Sequence, residues 1–180
     1  MIHTILFDAG GTMVNGKSTL IMLAEVMSPV ETNQIADFMI KEFMTIYSDE
    51  HPERFYTIKE LLALAIQKAA VEFGVPDISD QVPKYYRKNH LEQGVLFDDT
   101  IPVLEKLKRM GTKMVLVSDA DADVLVEQLE AFGILDYFSA MVISSHVGAY
   151  KPSDLVVREA ARYCHEPYSG ILMVGDKSKS

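Results

Sequence analysis

Short apolar runs recur along the chain with the length and composition of strands that are buried on both faces of a sheet. Four of them stand out: His3–Phe7, Lys113–Val117, Ala140–Ile143 and Ile171–Val174. A stretch with helical spacing precedes each of the last three runs, at residues 101–111, 124–133 and 154–164. This alternation predicts an α/β fold, and right-handed crossovers then make the sheet parallel.

The segment between the first two runs has a different pattern. Residues 15–94 contain no convincing strand. Four stretches there have the apolar periodicity of helices, at residues 20–27, 31–47, 57–74 and 78–90. A long helical insertion after the first strand is best explained as a second module of the four-helix-bundle type. We therefore predict a discontinuous core made of residues 1–14 and 95–180, and a small all-helical domain at 15–94.

Composition narrows the class of protein. Hydrophobic residues make up 48% of the 180 and charged residues 24%, as expected for a globular domain with a core. The formal net charge of −9 gives no support to nucleic-acid binding, and no apolar stretch approaches the ~20 residues of a membrane span. The first residues lack the features of a signal peptide, and a single cysteine, Cys164, offers no internal disulfide. We therefore expect a cytoplasmic protein that binds neither nucleic acid nor membranes.

Polar residues follow each of the four apolar runs. Asp8 follows the first run, Ser118 and Asp119 follow the second, and Asp176 follows the fourth, while the third leads within a few residues to Lys151. Because the ligands of a parallel α/β sheet bind beyond the carboxyl ends of its strands, we expect these side chains to meet at one edge. Two carboxylates, a hydroxyl and an amine at that edge make a workable site for phosphoryl transfer.

Each residue type suits a part of that reaction. Asp8 and Asp176 could hold a hard divalent cation, which prefers oxygen ligands, and a carboxylate can attack phosphorus to form an aspartyl phosphate. Ser118 could donate a hydrogen bond to a phosphate oxygen, and Lys151 could neutralise charge on the transferred group. Taken singly, each residue is more often a turn, cap or loop residue, so the prediction rests on their common position and order.

The same residues lie in four motifs that resemble those of the haloacid dehalogenase superfamily of hydrolases. FDAGGT resembles the first motif, LVSDADAD the second, GAYKPS the third, and MVGD the start of the fourth. The resemblance covers the whole chain. It implies a Rossmann-like core, a helical cap domain inserted after the first strand, and Mg²⁺ as the cofactor. It also implies a phosphatase that acts on a small phosphorylated metabolite through an aspartyl-phosphate intermediate.

The resemblance assigns expected roles to individual residues. Asp8 is the nucleophile, and Lys151 is the second catalytic residue. The residues that bind phosphate are Ser118, Asp119, Gly11 and Thr12. The Mg²⁺ ligands are Asp8, the main-chain carbonyl of Gly10 and Asp176.

Gly10 is a departure from the family's pattern. Most phosphatases of the family carry a second Asp at this position, which protonates the leaving group and later activates water. Glycine keeps the main-chain carbonyl for the metal but loses the general acid/base, a contribution of ~10²–10⁴-fold. Substrates with good leaving groups should lose the least rate. His146, which is close to Lys151 in the sequence, is a candidate substitute acid/base.

The C-terminus is a second departure. The family's fourth motif normally continues to another acidic residue, whereas this chain reads KSKS after Asp176 and stops at Ser180. The last strand and helix of the usual core are also missing from the sequence. We therefore expect the C-terminal part of the core to be absent and the strand Ile171–Val174 to form a sheet edge.

Three alternative functions stay open at this point. Dehalogenases of 2-haloacids in this family attack through the same Asp, lack the second Asp and need no metal, although Val174-Gly175-Asp176 argues against them. A branch that cleaves carbon–phosphorus bonds also lacks the second Asp, but it typically has an arginine where this chain has Lys151. The third alternative is a non-catalytic protein that binds a phosphorylated ligand or a protein partner. The sequence leaves the oligomeric state open.

Overall fold

The computed structural model describes residues 2–48, 54–164 and 168–176. The chain divides into two compact units, one formed by Met1–Gly16 and Gly94–Ser180 and the other by Lys17–Gln93. We call them the core unit and the helical unit. The departure that the sequence shows after Asp176, at residues 177–180, lies outside the described residues.

The described part of the chain contains six strands: β1 (Thr4–Phe7), β2 (Val14–Asn15), β3 (Val95–Leu96), β4 (Lys113–Ser118), β5 (Ala140–Ile143) and β6 (Ile171–Val174). Four of them form a parallel sheet in the order β5-β4-β1-β6, and β2 pairs with β3 in an antiparallel ribbon. The predicted α/β fold with a parallel sheet is therefore confirmed. Within the described residues, β6 is one edge of that sheet.

Eight α-helices lie in the same described ranges: α1 (Thr19–Met27), α2 (Thr32–Tyr47), α3 (Ile58–Phe73), α4 (Val82–Lys88), α5 (Thr100–Arg109), α6 (Ala122–Ala131), α7 (Ser144–Val147) and α8 (Asp154–Arg162). The first four belong to the helical unit and the last four to the core unit. Within the described part of the chain, no helix is long and apolar enough to cross a bilayer.

The main differences from the sequence prediction are small and local. β1 begins at Thr4 rather than at His3, and β4 continues one residue further, to Ser118. The ribbon of β2 and β3 was missed, and β2 reaches Asn15, where we expected no strand. Each of its strands has only two residues, which is too few to show the alternation of apolar and polar positions that marks a strand.

Two apolar layers cover the two faces of the sheet. Alternate side chains of a strand point to opposite faces, so Met114 and Leu116 of β4 pack in the layer that contains residues of α5 and α6. Val115 and Val117 pack in the layer that contains residues of α8. Because both faces of β4 are buried, its sequence is a continuous apolar run without polar alternation.

The helical unit is held together by contacts between its successive helices. α2 packs against α1 and α3, and α4 contacts both α3 and α1. α3 begins with a capping box: the Thr57 hydroxyl accepts a hydrogen bond from the Glu60 N–H, and the Glu60 carboxylate accepts one from the Thr57 N–H. α3 ends at Gly74, which has a φ of +64° and so adopts the left-handed conformation that glycine tolerates best.

Candidate functional site

Asp8 stands at the carboxyl end of β1, where the chain turns away from the sheet. Its N–H donates to the carbonyl of Val174 at 2.9 Å, which continues the parallel ladder between β1 and β6 by one residue. The next N–H, that of Ala9, donates to Asp8 Oδ1 at 2.8 Å. The turn that follows closes on the Ala9 carbonyl, which accepts hydrogen bonds from the N–H groups of Met13 and Val14. The sheet and the turn together therefore fix the position of the Asp8 carboxylate.

Lys151 contacts this carboxylate directly. Its Nζ lies 2.8 Å from Asp8 Oδ1 and donates a second hydrogen bond to the carbonyl of Val117 at 3.2 Å. The Lys151 main chain is held as well, because its N–H donates to Asp119 Oδ1 at 2.9 Å. The Asp8 and Lys151 side chains are only 16% and 24% exposed, so the attraction between their charges is screened less than that of a surface pair.

Asp176 approaches the same turn from the end of β6. A Cβ placed on Gly11 would lie 2.5 Å from Asp176 Oδ2, closer than real Cβ contacts allow, and Gly11 also has a φ of +76°. A Cβ placed on Gly175 would lie 3.9 Å from Asp8 Oδ2. Oδ2 of Asp8 therefore faces the chain next to Asp176, whereas Oδ1 is held by Lys151 and Ala9. The absence of a side chain at Gly11 thus makes room for the Asp176 carboxylate.

Ser118, the last residue of β4, is 5% exposed. Within the described residues its hydroxyl has no hydrogen-bond partner, and it is not among the fully enclosed, unpaired polar atoms. The loop after it is held from the side of β5. Ala120 N–H donates to Ser144 Oγ at 2.9 Å, and Ala122 N–H donates to Ser145 Oγ at 3.0 Å. The loop is therefore anchored while the Ser118 hydroxyl stays available to a ligand.

The remaining residues predicted for the site have different surroundings. A Cβ placed on Gly10 would meet no atom within 4 Å, so this position is open. Thr12 Oγ1 is buried and has no hydrogen-bond partner among the described residues. His146 lies in α7 as an exposed residue, and its side chain makes no hydrogen bond or ion pair with Asp8 or Lys151. The structure gives no support to His146 as a substitute acid/base.

The oxygen atoms near Asp8 suit a hard divalent cation. Mg²⁺ prefers one or two carboxylates together with neutral oxygens and water, and the Gly11 contact brings the Asp176 carboxylate against the turn that follows Asp8. Three or more His, Cys, Asp or Glu side chains grouped as a metal cage are not found within the described ranges. A cation here would therefore rely on Asp8, Asp176, main-chain oxygen and the substrate.

Most of these residues were predicted from the sequence, but the hydrogen-bond partners that hold them in place were not. Asp8, Asp119 and Lys151 are brought into one connected cluster, and Gly11 contacts Asp176. Ser144 and Ser145 were not singled out, although two hydroxyl residues directly after a buried strand are a recognisable signal at the ligand-binding edge of a parallel sheet. The Val117 carbonyl was missed because main-chain acceptors leave no trace in a sequence.

The fold and the site together define a class of protein: an α/β enzyme with a carboxylate at the end of its first strand, paired with a lysine that follows a later strand. The chain belongs to the haloacid dehalogenase-like hydrolases, whose family model matches residues 5–180. The expectation drawn from the four motifs is thus confirmed at the level of the family.

Individual relatives show how broad this family is. The chain is 25% identical to glyceraldehyde 3-phosphate phosphatase of Methanopyrus kandleri over 98% of its own length and 76% of the relative's. In fold it is similar to the L-2-haloacid dehalogenase RSc1362, with a TM-score of 0.74 and 19% identity over 96% of this chain and 77% of the other. It is also similar to the magnesium-bound structure of YfnB from Bacillus subtilis, with a TM-score of 0.76 and 15% identity over 98% of this chain and 80% of the other.

Proposed function

We propose that this protein is a Mg²⁺-dependent phosphatase that hydrolyses a small phosphorylated metabolite through an aspartyl phosphate on Asp8. The observation that carries the proposal is the contact of 2.8 Å between Asp8 Oδ1 and Lys151 Nζ at the carboxyl end of the sheet. The phosphatase name of the relative from Methanopyrus kandleri points to the same chemistry. The Gly10 position, two residues after Asp8, is open, because a Cβ there would meet no atom within 4 Å.

The reaction proceeds in two displacements. An oxygen of the Asp8 carboxylate attacks phosphorus, a new O–P bond forms, and the bond from phosphorus to the leaving oxygen breaks with its electron pair going to that oxygen. Water then attacks the phosphorus of the aspartyl phosphate, the O–P bond to Asp8 breaks, and the free carboxylate and inorganic phosphate are released. One water is consumed, and Asp8 returns to its starting state.

Lys151 and Ser118 contribute by placing donors where negative charge gathers. The Lys151 ammonium, held between Asp8 and the Val117 carbonyl, neutralises charge on the nucleophile and on the transferred group. The Ser118 hydroxyl can donate to a phosphoryl oxygen. Bound Mg²⁺, held by Asp8, Asp176 and the Gly10 carbonyl, would supply further electrostatic stabilisation of the phosphoryl oxygens.

Gly10 limits the substrates that the site can process quickly. No carboxyl side chain is present at this position to protonate the leaving oxygen, and the exposed His146 makes no hydrogen bond with Asp8 or Lys151. The leaving oxygen must therefore depart as an anion or take its proton from water. We infer that the enzyme favours substrates whose leaving group is a weak base, since these need general acid catalysis least.

A second candidate is dehalogenation of a small 2-haloacid, which Gly10 also favours because that reaction needs no acid to protonate a departing halide. In it the Asp8 carboxylate would displace halide from carbon, and water would hydrolyse the resulting ester. The two candidates differ in their dependence on a metal. The contact of Asp176 with Gly11 brings a second carboxylate to the turn after Asp8, which favours the metal-dependent phosphatase.

The test is hydrolysis of p-nitrophenyl phosphate with and without Mg²⁺, with Asp8→Asn as the matched control. Its leaving group hardly needs protonation, so the assay does not penalise an enzyme with glycine at position 10. We expect turnover that requires Mg²⁺ and vanishes in Asp8→Asn. Metal-independent release of chloride from 2-chloropropionate would support the dehalogenase instead. No turnover of either compound above the Asp8→Asn background would contradict both proposals.

A further inference from the structure

We infer that Ser144 is a positioning residue of this active site: its hydroxyl clamps the loop that follows β4 and thereby holds Lys151 against Asp8. The inference rests on the proposed function for its effect on turnover. Ser144 has no hydrogen bond with Asp8 or Lys151. The inference gives a role to its two hydrogen bonds with Ala120, which the proposed mechanism does not use.

The register of the sheet brings Ser144 to this loop. Ser118 of β4 pairs with Ile143 of β5, so the residue after Ile143 lies beside the residues that follow Ser118. Ser144 Oγ accepts a hydrogen bond from the Ala120 N–H at 2.9 Å and donates one to the Ala120 carbonyl at 3.1 Å. The residue is 2% exposed. One buried hydroxyl therefore pairs with both main-chain groups of the same residue, where water cannot take its place.

The clamped loop in turn holds the main chain of Lys151. The Val117 carbonyl, in β4 just before the loop, accepts the hydrogen bond from Lys151 Nζ. Asp119 Oδ1, one residue before Ala120, accepts the hydrogen bond from the Lys151 N–H. The loop is thus fixed by Ser144 on one side and supports Lys151 on the other. Misplacing a catalytic group by about 1 Å can cost ~10²-fold in rate. Loosening Ala120 should therefore displace Lys151 and lower the rate.

A serine at the opposite end of the same strand pair provides a control. The Ser139 hydroxyl donates to the Met114 carbonyl at 3.1 Å, which is the length of the bond from Ser144 to the Ala120 carbonyl. Ser139 precedes β5, and Met114 is near the start of β4. Ser139 is exposed, whereas Ser144 is buried, so Ser139→Ala controls for the loss of one hydrogen bond from a serine hydroxyl to a carbonyl between these two strands.

The experiment compares Ser144→Ala and Ser139→Ala with the wild-type full chain. We expect Ser144→Ala to lower kcat for p-nitrophenyl phosphate about 10- to 100-fold with KM nearly unchanged, and Ser144→Thr, which keeps the hydroxyl, to recover much of the loss. Ser139→Ala should keep the wild-type kcat. Equal kcat values in Ser144→Ala and wild type, or equal losses in the two alanine variants, would overturn the inference. If Ser144→Ala does not fold, Ser145→Ala loosens the same loop at Ala122 only; it should lower kcat by a smaller factor, and an unchanged kcat would count against the clamp.

Hydrogen exchange gives a reading that does not depend on turnover. Ser144→Ala removes the acceptor of the Ala120 N–H directly. Faster exchange of that N–H would follow from this loss alone and would not test the inference. The informative group is the Lys151 N–H, which is bonded to Asp119 and not to Ser144. We expect its exchange to quicken in Ser144→Ala and to stay unchanged in Ser139→Ala. If the wild type shows no hydrolysis, the proposed function fails, and unchanged Lys151 exchange in Ser144→Ala would then refute the clamp separately.

Discussion

Lys151 Nζ contacts one oxygen of the Asp8 carboxylate, Oδ1, at 2.8 Å, and the other oxygen, Oδ2, faces Gly175. The two oxygens therefore have different surroundings. Oδ1 is held by an ammonium and by the Ala9 N–H, whereas Oδ2 lies towards the segment that carries Asp176. Donors of the protein therefore occupy Oδ1, and the proposed function assigns Oδ2 to the bound Mg²⁺.

Removing the Lys151 ammonium should reduce turnover while leaving the fold intact. We expect Lys151→Ala to lower kcat about 10²–10³-fold, as for loss of one preorganised donor in an active site. Lys68→Ala is the matched control, because Lys68 also pairs with a carboxylate, that of Glu42 at 2.6 Å, but in the helical unit. Steady-state kinetics with p-nitrophenyl phosphate would measure both. Comparable losses in the two variants would contradict a catalytic role for Lys151.

Restoring a carboxyl side chain at position 10 should widen the range of substrates. A Cβ on Gly10 meets no atom within 4 Å, and its backbone does not require positive φ, so Asp fits without strain at Cβ. We expect Gly10→Asp to raise turnover of an alkyl phosphate at least about 10-fold, within the ~10²–10⁴-fold available from general acid catalysis, and to change p-nitrophenyl phosphate turnover much less. Gly10→Ala adds Cβ without the acid and should give no gain. A gain in Gly10→Ala as large as in Gly10→Asp would refute the explanation.

A side chain at position 11 should displace the Asp176 carboxylate and weaken Mg²⁺ binding. Its Cβ would lie 2.5 Å from Asp176 Oδ2, so the carboxylate would have to move. We expect Gly11→Ala to raise the Mg²⁺ concentration needed for half-maximal activity. Gly111→Ala controls for backbone strain, since Gly111 has a similar φ of +73° but no atom within 4 Å of its Cβ position. The left-handed backbone should cost each variant about 1–2 kcal/mol of unfolding free energy, and a shift in Mg²⁺ dependence shared by both would exclude the contact as its cause.

The start of α3 should contribute a pH-dependent part of the stability. The pKa of Glu60 is lowered from its usual value, chiefly by the hydrogen bond from the Thr57 N–H and then by Arg54. A carboxyl whose folded pKa is depressed stabilises the protein above its unfolded pKa, and this stability is lost as pH falls through the folded pKa. The Glu60 side chain is 43% exposed, so solvent screening limits the effect to about 0.5 kcal/mol.

Urea unfolding of Glu60→Gln at pH 7 and at pH 3 would measure this contribution. Gln keeps the capping hydrogen bond but not the charge, so the variant should be less stable than wild type at pH 7 and closer to it at pH 3. Glu130→Gln, at an exposed position of α6, serves as the control and should match wild type at pH 7. A Glu60→Gln deficit that stays constant with pH would rule out the charge as its origin.

Most of the sheet and the candidate residues could be predicted because they depend on local pattern. β5 and β6 have the predicted ends, and Asp8, Ser118 and Asp176 stand at or just after strand ends. The ribbon of β2 and β3 escaped prediction because it is held by contacts distant in sequence, such as the Thr100 hydroxyl that donates to the Met13 carbonyl at 3.0 Å. His146 was a candidate on sequence proximity alone, and the short helix α7 leaves it exposed.

The sequence by itself determined the order along the chain of the four strands of the parallel sheet and their helices, the family, and which polar residues reach the ligand-binding edge. These features follow from apolar periodicity and from motifs, which are local properties of the sequence. Only the tertiary structure decided which oxygen of Asp8 meets Lys151, that Gly11 makes room for Asp176, and that Ser144 clamps Ala120. These relationships join segments far apart in the chain. They depend on the register between strands and on loop positions at the scale of an ångström, which no local pattern specifies.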